Sequence, residues 1–195
     1  MKLDYQKELT PVLYGDSAVK IHKETNAAEN KLCFSTHWHE RMELLLIYSG
    51  SLHLHIGDKE FTAKENSLVI IPPEKAHMGA SGNEGVRYRT VMFDVSAFYN
   101  LSNATDKYLK PIVNQITNFS TVTYDAQIVE LCNSLIKEQL SQCVASPLIV
   151  IGKIYELLGF LYRRCLCEPV LLAPDSKFKN VIDYIGDNYC NDISS

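Results

Sequence analysis

Four side chains of metal-binding type lie in two short stretches of the sequence. His37, His39 and Glu43 fall within HWHERME, and His77 follows a pair of prolines by a few residues. Imidazole nitrogens and one carboxylate form a donor set that suits zinc, nickel, iron or manganese and leaves coordination positions open. The alternative is a polar lining without an ion, in which neutral histidines hydrogen-bond water or a small molecule. The four residues predict a metal centre or a polar receptor.

The spacing of these residues restricts how they can meet. His37, His39 and Glu43 share parity, so strand alternation puts them on one face, but an extended strand separates successive members by about 7 and 13 Å. A strongly curved strand in a small barrel, with His77 on a neighbouring strand, would bring them together. Arg41 has the same parity. Its guanidinium could bind a carboxylate or hydroxyls, or extend out of the barrel into water.

The residues from about 11 to 98 alternate with a period of two and predict many short strands, as in a sandwich or barrel. GDKE at 57–60 is typical of a hairpin turn, because Gly and Asp tolerate positive φ. One face of the strand VRYRTVMFDV carries Tyr88 and Thr90. His53 and His55 alternate with leucine and isoleucine, which favours solvent exposure of the two histidines.

Beyond about residue 100 the period changes to 3.6 and predicts helices at 105–119, 124–142 and 146–168. Pro111 indicates a kink or a late start in the first. In the third, Ser146 is predicted as N-cap with Pro147 in the first turn. This third helix is apolar almost all round, so its surface must be covered by the barrel and by a second subunit, or by a monomer that encloses it. Ser176 is predicted to cap one more amphipathic helix.

The motif spacing is similar to that of the cupins. HxH, three residues, E, six residues and G correspond to His37, His39, Glu43 and Gly50, and P, four residues and H end at His77. The resemblance implies a double-stranded β-helix (jelly-roll) barrel, mainly β with additional α, whose mouth these side chains face. Three motif glycines are replaced, by Lys31, Asn66 and Glu74; Asn can adopt positive φ.

A narrower resemblance covers nearly the whole chain. The barrel sequence, a helical region and the end NVIDYIGDNYCNDISS together resemble an AraC/XylS-type transcription regulator that stops within its DNA-binding part. The implied organisation is a cupin effector-binding barrel at 1–100, a helical dimerisation region at 101–173, and at 174–195 a linker and the first helix of a truncated DNA-binding domain. By this resemblance the barrel binds a small effector, the C-terminal helices form a homodimer, and missing helix-turn-helix units contact DNA.

The predicted effector is a small polar molecule of sugar type. Its predicted contacts, drawn from the shared strand face and from the resemblance, are His37, His39, Arg41, Glu43, Ser49, His77, Tyr88 and Thr90. A bound metal would use His37, His39, Glu43 and His77. This interpretation assigns no catalytic residue and predicts that the chain is not an enzyme. The alternatives are a metal-dependent cupin enzyme, an isomerase or dioxygenase, and a sugar-binding module without chemistry or DNA.

Composition adds bounds on partners and location. The formal charge is −4 and the pI about 5.9, which opposes attraction to nucleic acid, so DNA binding is expected only through the missing C-terminal domain. No apolar run approaches the roughly 20 residues that span a bilayer, and the N-terminus lacks an apolar signal region. We therefore expect no membrane contact and a cytoplasmic location, with the six cysteines as reduced thiols.

Overall fold

A computed structural model describes residues 6–8, 18–99, 101–141 and 143–167 of the chain. Strands occupy the N-terminal part, and helices follow. The strands are β1 (Gln6–Lys7), β2 (Val19–Ile21), β3 (Thr25–Ala27), β4 (Leu32–Trp38), β5 (Met42–Ile56), β6 (Lys59–Lys64), β7 (Ser67–Ile71), β8 (His77–Phe93) and β9 (Val122–Thr123). The helices are a 3-10 helix (Val95–Phe98), α1 (Asn103–Val113), α2 (Ala126–Ser141) and α3 (Ser146–Arg164).

Two long strands, β5 and β8, run antiparallel through the whole sheet. The first half of β5 pairs with β7 and its second half with β6. Likewise β4 pairs with the first half of β8, whereas β2 and β3 pair with its second half. Each long strand therefore contributes one half to each of the two opposed sheets of the barrel, which is the arrangement of a double-stranded β-helix. The predicted fold class, a jelly-roll barrel followed by helices, is confirmed.

The two long strands pass from one sheet of the barrel to the other at the point where Gly50 of β5 lies against Gly85 of β8. The pairing register shifts between Ile47 and Ser49 and again between Gly50 and Leu52. Both glycines have positive φ, 74° and 72°. A Cβ built on Gly50 would collide with the carbonyl oxygen of Gly85. Glycine is required here because the two backbones touch and because positive φ disfavours a side chain.

Strand alternation divides the apolar side chains between two clusters. The interior of the barrel contains Leu45, Ile47, Leu52, Leu54, Ile56, Ala63, Val69, Ile71, Val86 and Tyr88. The outer face of β5, β7 and β8 carries Leu44, Leu46, Leu68, Ile70, Val91 and Phe93, which pack with the buried sides of α2 and α3. The helices therefore cover one outer face of the barrel and leave its mouth to the loops and to β1.

The structure corrects two details of the predicted helices. Helix α1 starts well before Pro111: Ser102 caps it by accepting from the Thr105 N–H at 3.2 Å, and the proline lies in the last turn. Ser146 is not the cap of α3 but its first residue, after Ala145. Its hydroxyl donates instead to Glu138 Oε1 of α2 at 2.7 Å, so a tertiary hydrogen bond replaces the expected cap.

Helix α3 buries Val150, Ile154, Leu157, Leu158 and Leu161 against the rest of the chain. On its other side Leu148 is 74% exposed, with Ile149 and Ile151 also exposed. Its apolar excess is thus not enclosed by the described residues of this chain. None of the described helices is long and apolar enough to cross a membrane. The helix predicted from Ser176 lies outside the described residues.

Candidate metal and effector site

A sharp bend between β4 and β5 brings the predicted ligands together. Strand β4 ends at Trp38 and β5 begins at Met42, and the chain bends between them. His37 therefore lies on β4, His39 just beyond its end, and Glu43 on β5. One curved strand was expected; the structure has two strands joined by a bend, which removes the long separation that an extended strand would impose.

His77 completes the group from a third strand. It is the first residue of β8 and lies opposite His37 in the antiparallel pairing of β4 with β8. One donor atom from each of His37, His39, Glu43 and His77 lies within 4.8 Å of the other three. A divalent ion with bonds of about 2.1 Å holds its donor atoms within about 4.2 Å of one another. Small side-chain adjustments would therefore suffice to coordinate an ion.

Glu43 lies at the centre of the group. Its Oε2 is 2.8 Å from Nε2 of His39 and 3.1 Å from Nε2 of His77. His39, Glu43 and His77 are 1%, 6% and 1% exposed, whereas the His37 side chain is 22% exposed. A small molecule would therefore approach beside His37.

Backbone carbonyls orient the three imidazole rings. The Nδ1 atom of each ring lies within hydrogen-bond distance of the carbonyl oxygen of a residue two positions away. The pairs are His37 with Ser35 at 2.8 Å, His39 with Arg41 at 3.0 Å, and His77 with Lys75 at 2.7 Å. A carbonyl only accepts, so Nδ1 carries the proton and Nε2 keeps the lone pair, an arrangement that is typical of metal-binding histidines.

The electrostatics of the group require a cation. Burial alone would raise the pKa of Glu43, but the hydrogen bonds from His39 and His77 outweigh it and hold this pKa well below its usual range. Burial lowers the pKa of His77, yet the hydrogen bond and charge of Glu43 raise it overall. Because Nδ1 already holds a proton, Nε2 can face a carboxylate only with a second proton or a metal ion between them. The donor set, its tautomers and its spacing all fit a divalent metal.

Arg41 extends the site beyond the four ligands. Its side chain is 2% exposed rather than directed into water, and its Nη2 donates to Glu8 Oε2 at 2.9 Å. The same oxygen lies 4.0 Å from Nε2 of His37. Glu8 therefore joins Arg41 to the histidine group. Burial is the main cause of the lowered pKa of His22, which directly follows β2, and the charges of Glu43, Glu8 and Arg41 also act on this ring.

The other predicted contact residues follow the same interior face deeper into the barrel. Thr90 pairs with Leu45 and Tyr88 pairs with Ile47. Leu45 and Ile47 are the next two residues after Glu43 on the same face of β5. Thr90 is 7% and Tyr88 4% exposed, and burial raises the pKa of Tyr88 to about 12. Ser49 is not brought to this group: it lies at the register shift opposite Arg87, which forms an ion pair with Glu24 on the surface.

Two neighbours of the site, Phe34 and Glu8, were not predicted from the sequence. Phe34 contacts the rings of His37 and His77 edge-on, with centroids 5.9 and 5.8 Å apart, and forms an apolar wall. Its place on β4 beside the HxH motif was the available clue. Glu8 offered none, since only the tertiary pairing of β1 with β4 brings it there. His53 and His55 are exposed, as the alternation predicted.

The family model described as "AraC-like ligand binding domain" matches residues 27–158. No protein of curated function shows a significant sequence match. Among solved structures, the cupin domain of Cnp3 from Schizosaccharomyces pombe aligns with 49% of this chain and 64% of its own, at 11% identity and a TM-score of 0.38. An RmlC-like cupin from Methanocaldococcus jannaschii aligns over 39% and 70%, at 18% identity and 0.35.

Oxalate decarboxylase of Bacillus subtilis is a third similar structure, at 15% identity and a TM-score of 0.36. The alignment covers 52% of this chain but 31% of the decarboxylase. This chain thus spans less than two thirds of the length of the Cnp3 domain and less than a third of that of the enzyme.

Proposed function

Because the chain belongs to the family of AraC-like ligand-binding domains, we propose that it is the effector-sensing and dimerisation part of a DNA-binding transcription regulator. The effector is a small, polar, sugar-like molecule that binds at the barrel mouth. The observation that carries this proposal is the convergence of three histidines and one glutamate, with oriented rings, at an opening beside a partly exposed histidine. The barrel interior is otherwise packed with apolar side chains, so this polar group supports binding of a ligand.

A divalent metal, zinc, nickel, iron or manganese, would be held by His37, His39, Glu43 and His77. When bound, such an ion supplies a Lewis-acidic centre for hydroxyl or carboxylate oxygens of the effector. Arg41 would donate hydrogen bonds to the same molecule. Thr90 and Tyr88 would contact parts that reach deeper into the barrel, where an aromatic face can stack on a sugar ring. Ser49 belongs to the proposed contacts only if the effector reaches the register shift.

Dimerisation is proposed to occur through the C-terminal helices. Leu148, Ile149 and Ile151 expose apolar side chains on α3, and Leu140 on α2 and Val144 between the two helices are exposed as well. Exposed apolar side chains close together on one helix support contact with a second copy. In the regulator, helix-turn-helix units beyond this domain would bind DNA in the cytoplasm. Effector binding would favour one arrangement of these units, which requires different affinities in the two states.

One observation favours a second candidate function, a metal-dependent cupin enzyme such as an isomerase or dioxygenase. Three imidazoles and one carboxylate would leave coordination positions open on an ion, which is also what catalysis requires. The two candidates differ in what happens to the small molecule. A sensor binds it and returns it unchanged, whereas an enzyme converts it.

A thermal-shift experiment followed by product analysis tests the proposal. The chain is freed of metal with a chelator, reloaded with zinc, nickel, iron or manganese, and screened against neutral sugars and sugar acids. We expect a metal to raise the midpoint of unfolding and a polar small molecule to raise it further. Unchanged recovery of that molecule after long incubation supports the sensor. Turnover would instead establish the enzyme, and a midpoint indifferent to every metal and small molecule would refute the receptor.

A further inference from the structure

The guanidinium of Arg41 is buried with an unused hydrogen-bond donor. Within the described part of the chain, its Nη2 donates to Glu8 Oε2 at 2.9 Å, while its Nη1 is inaccessible to water and has no acceptor. A buried N–H of a charged group without an acceptor is costly, and folds usually provide a partner. An unused donor on a fork suited to bidentate binding of carboxylates indicates an acceptor supplied from outside.

A second unused donor or acceptor lies in the same region. Nε2 of His22 is buried and, among residues the structure describes, has no hydrogen-bond partner. The charges of Glu8, Glu43 and Arg41 all act on this ring. Glu8 Oε2, which occupies one arm of the Arg41 fork, is 4.0 Å from Nε2 of His37. Two unsatisfied polar atoms therefore lie near a carboxylate that is itself 4.0 Å from the nearest histidine nitrogen.

We propose that the receptor binds a carboxylate-bearing small molecule, a sugar acid or another hydroxycarboxylic acid, whose carboxylate takes the place of Glu8 on Arg41. This inference rests on the proposed function and specifies its ligand class. In the absence of the ligand, the Glu8 carboxylate binds Arg41 in its place. The hydroxyl of the ligand lies toward His37, His39 and His77, and its carboxylate binds both Nη atoms of Arg41.

The charges around the site agree with this assignment. Glu8 offsets the positive charge of Arg41, and protons on the histidines or a divalent ion offset the negative charge of Glu43. An added carboxylate therefore competes with Glu8 for Arg41. A divalent ion adds an open coordination position for the ligand hydroxyl. The receptor is therefore expected to bind an acid more tightly when loaded with metal, and more tightly still without the Glu8 charge.

The position of Glu8 makes its replacement feasible. It follows β1, a strand of two residues that pairs in parallel with β4 at His37 and Trp38. Its side chain is 26% exposed, in contrast to the buried Arg41. A short strand at the sheet edge is among the elements that open most easily. A ligand carboxylate can thus take over the guanidinium while the barrel keeps its structure.

The test uses glycolate and glycolamide, which have nearly the same shape and differ in charge. Their affinities for the zinc-loaded and the chelated chain are measured by titration calorimetry. Glycolate is expected to bind the zinc-loaded chain at least about tenfold more tightly than glycolamide does, a difference of about 1.4 kcal/mol. Arg41→Gln should remove that preference, Arg41→Lys should restore part of it, and Glu8→Gln should strengthen glycolate binding about tenfold.

The chain offers a matched control in Arg87 and Glu24, an exposed pair with 3.3 Å between Nη1 and Oε1. Arg87→Gln and Glu24→Gln should leave both affinities unchanged. Equal binding of glycolate and glycolamide would overturn the proposal, and so would an unchanged preference for glycolate in folded Arg41→Gln. If that variant does not fold, weaker or unchanged glycolate binding by Glu8→Gln would overturn it.

The outcome also distinguishes this proposal from the proposed function. A neutral sugar that binds independently of Arg41 would refute the carboxylate ligand but leave the sensor function intact. If no metal and no small molecule binds, both proposals are refuted.

Discussion

Nε2 of His77 lies 3.1 Å from Oε2 of Glu43, although 34 positions separate the two residues in the sequence. The contact joins the first residue of β8 to the start of β5. Because Nδ1 of His77 is held by the Lys75 carbonyl at 2.7 Å, the atom that faces Glu43 is the one with the lone pair. A proton or a metal ion must therefore lie between His77 and Glu43.

Replacing the carboxylate should weaken metal binding. Glu43→Gln keeps the shape of the side chain but removes its negative charge, so zinc affinity should fall about 10- to 100-fold or more. Competition with a fluorescent chelator measures this change. For the unaltered chain, acidification should also weaken binding, because Glu43, against the effect of burial, raises the pKa of His77 and the added proton competes with the ion for Nε2 of this ring. The control His53→Gln alters an exposed histidine and should leave affinity unchanged; equal affinities of Glu43→Gln and the unaltered chain would exclude Glu43 as a ligand.

Disrupting the apolar surface of α3 should separate the proposed dimer. Leu148 is 74% exposed, so Leu148→Glu does not disturb the core, but it introduces a charge where a second copy is expected. Light scattering after size exclusion should change from the mass of two chains to that of one. Leu101→Glu, at another residue 68% exposed, is the matched control and should keep the dimer. A monomer before any substitution would contradict the proposed interface.

The crossing of β5 and β8 should tolerate no side chain at Gly50. Gly50→Ala combines positive φ with a collision against the Gly85 carbonyl, and we expect the free energy of unfolding to fall by about 2–4 kcal/mol. Gly57→Ala shares the positive φ, 59°, but has open space around it, so it should cost about 1 kcal/mol. Urea denaturation compares the two. Equal losses would show that the close approach of the strands contributes nothing.

The buried thiol of Cys132 should be chemically inert. Burial raises its pKa to about 12, so the thiol stays protonated at neutral and mildly alkaline pH and only its ionisation above that range would create the nucleophile. Iodoacetamide at pH 8, followed by peptide mass spectrometry, should modify the exposed Cys143 and spare Cys132 until the chain is unfolded. Rapid native labelling of Cys132 would show that α2 is not packed as described.

Sequence could predict the barrel and the grouping of one glutamate with three histidines because both depend on local patterns. Alternation placed His37, His39 and Glu43 on one face, and motif spacing added His77. Asn66 and Glu74, which replace motif glycines, indeed have positive φ, 58° and 60°. The metal, the effector and the dimer remain predictions.

What sequence could not predict depends on tertiary contacts. The partner of Arg41 is Glu8, 33 positions away, and no periodicity connects them. Ser146 has the residue type and the proline neighbour of a helix cap, yet Glu138 of α2 takes its hydroxyl. The bend between β4 and β5 likewise replaces a single curved strand. For Arg41 and Ser146, a tertiary partner determined a contact that the local sequence did not specify.

The three histidines and Glu43 are proposed to form one receptor for a divalent ion and a polar ligand. Anomalous X-ray diffraction at the zinc edge, on crystals of the zinc-loaded chain, shows where the ion binds. We expect a single strong peak within bonding distance of Nε2 of His37, His39 and His77 and of Oε2 of Glu43. Zinc bound only elsewhere, with these four side chains still in direct contact with one another, would contradict this proposal.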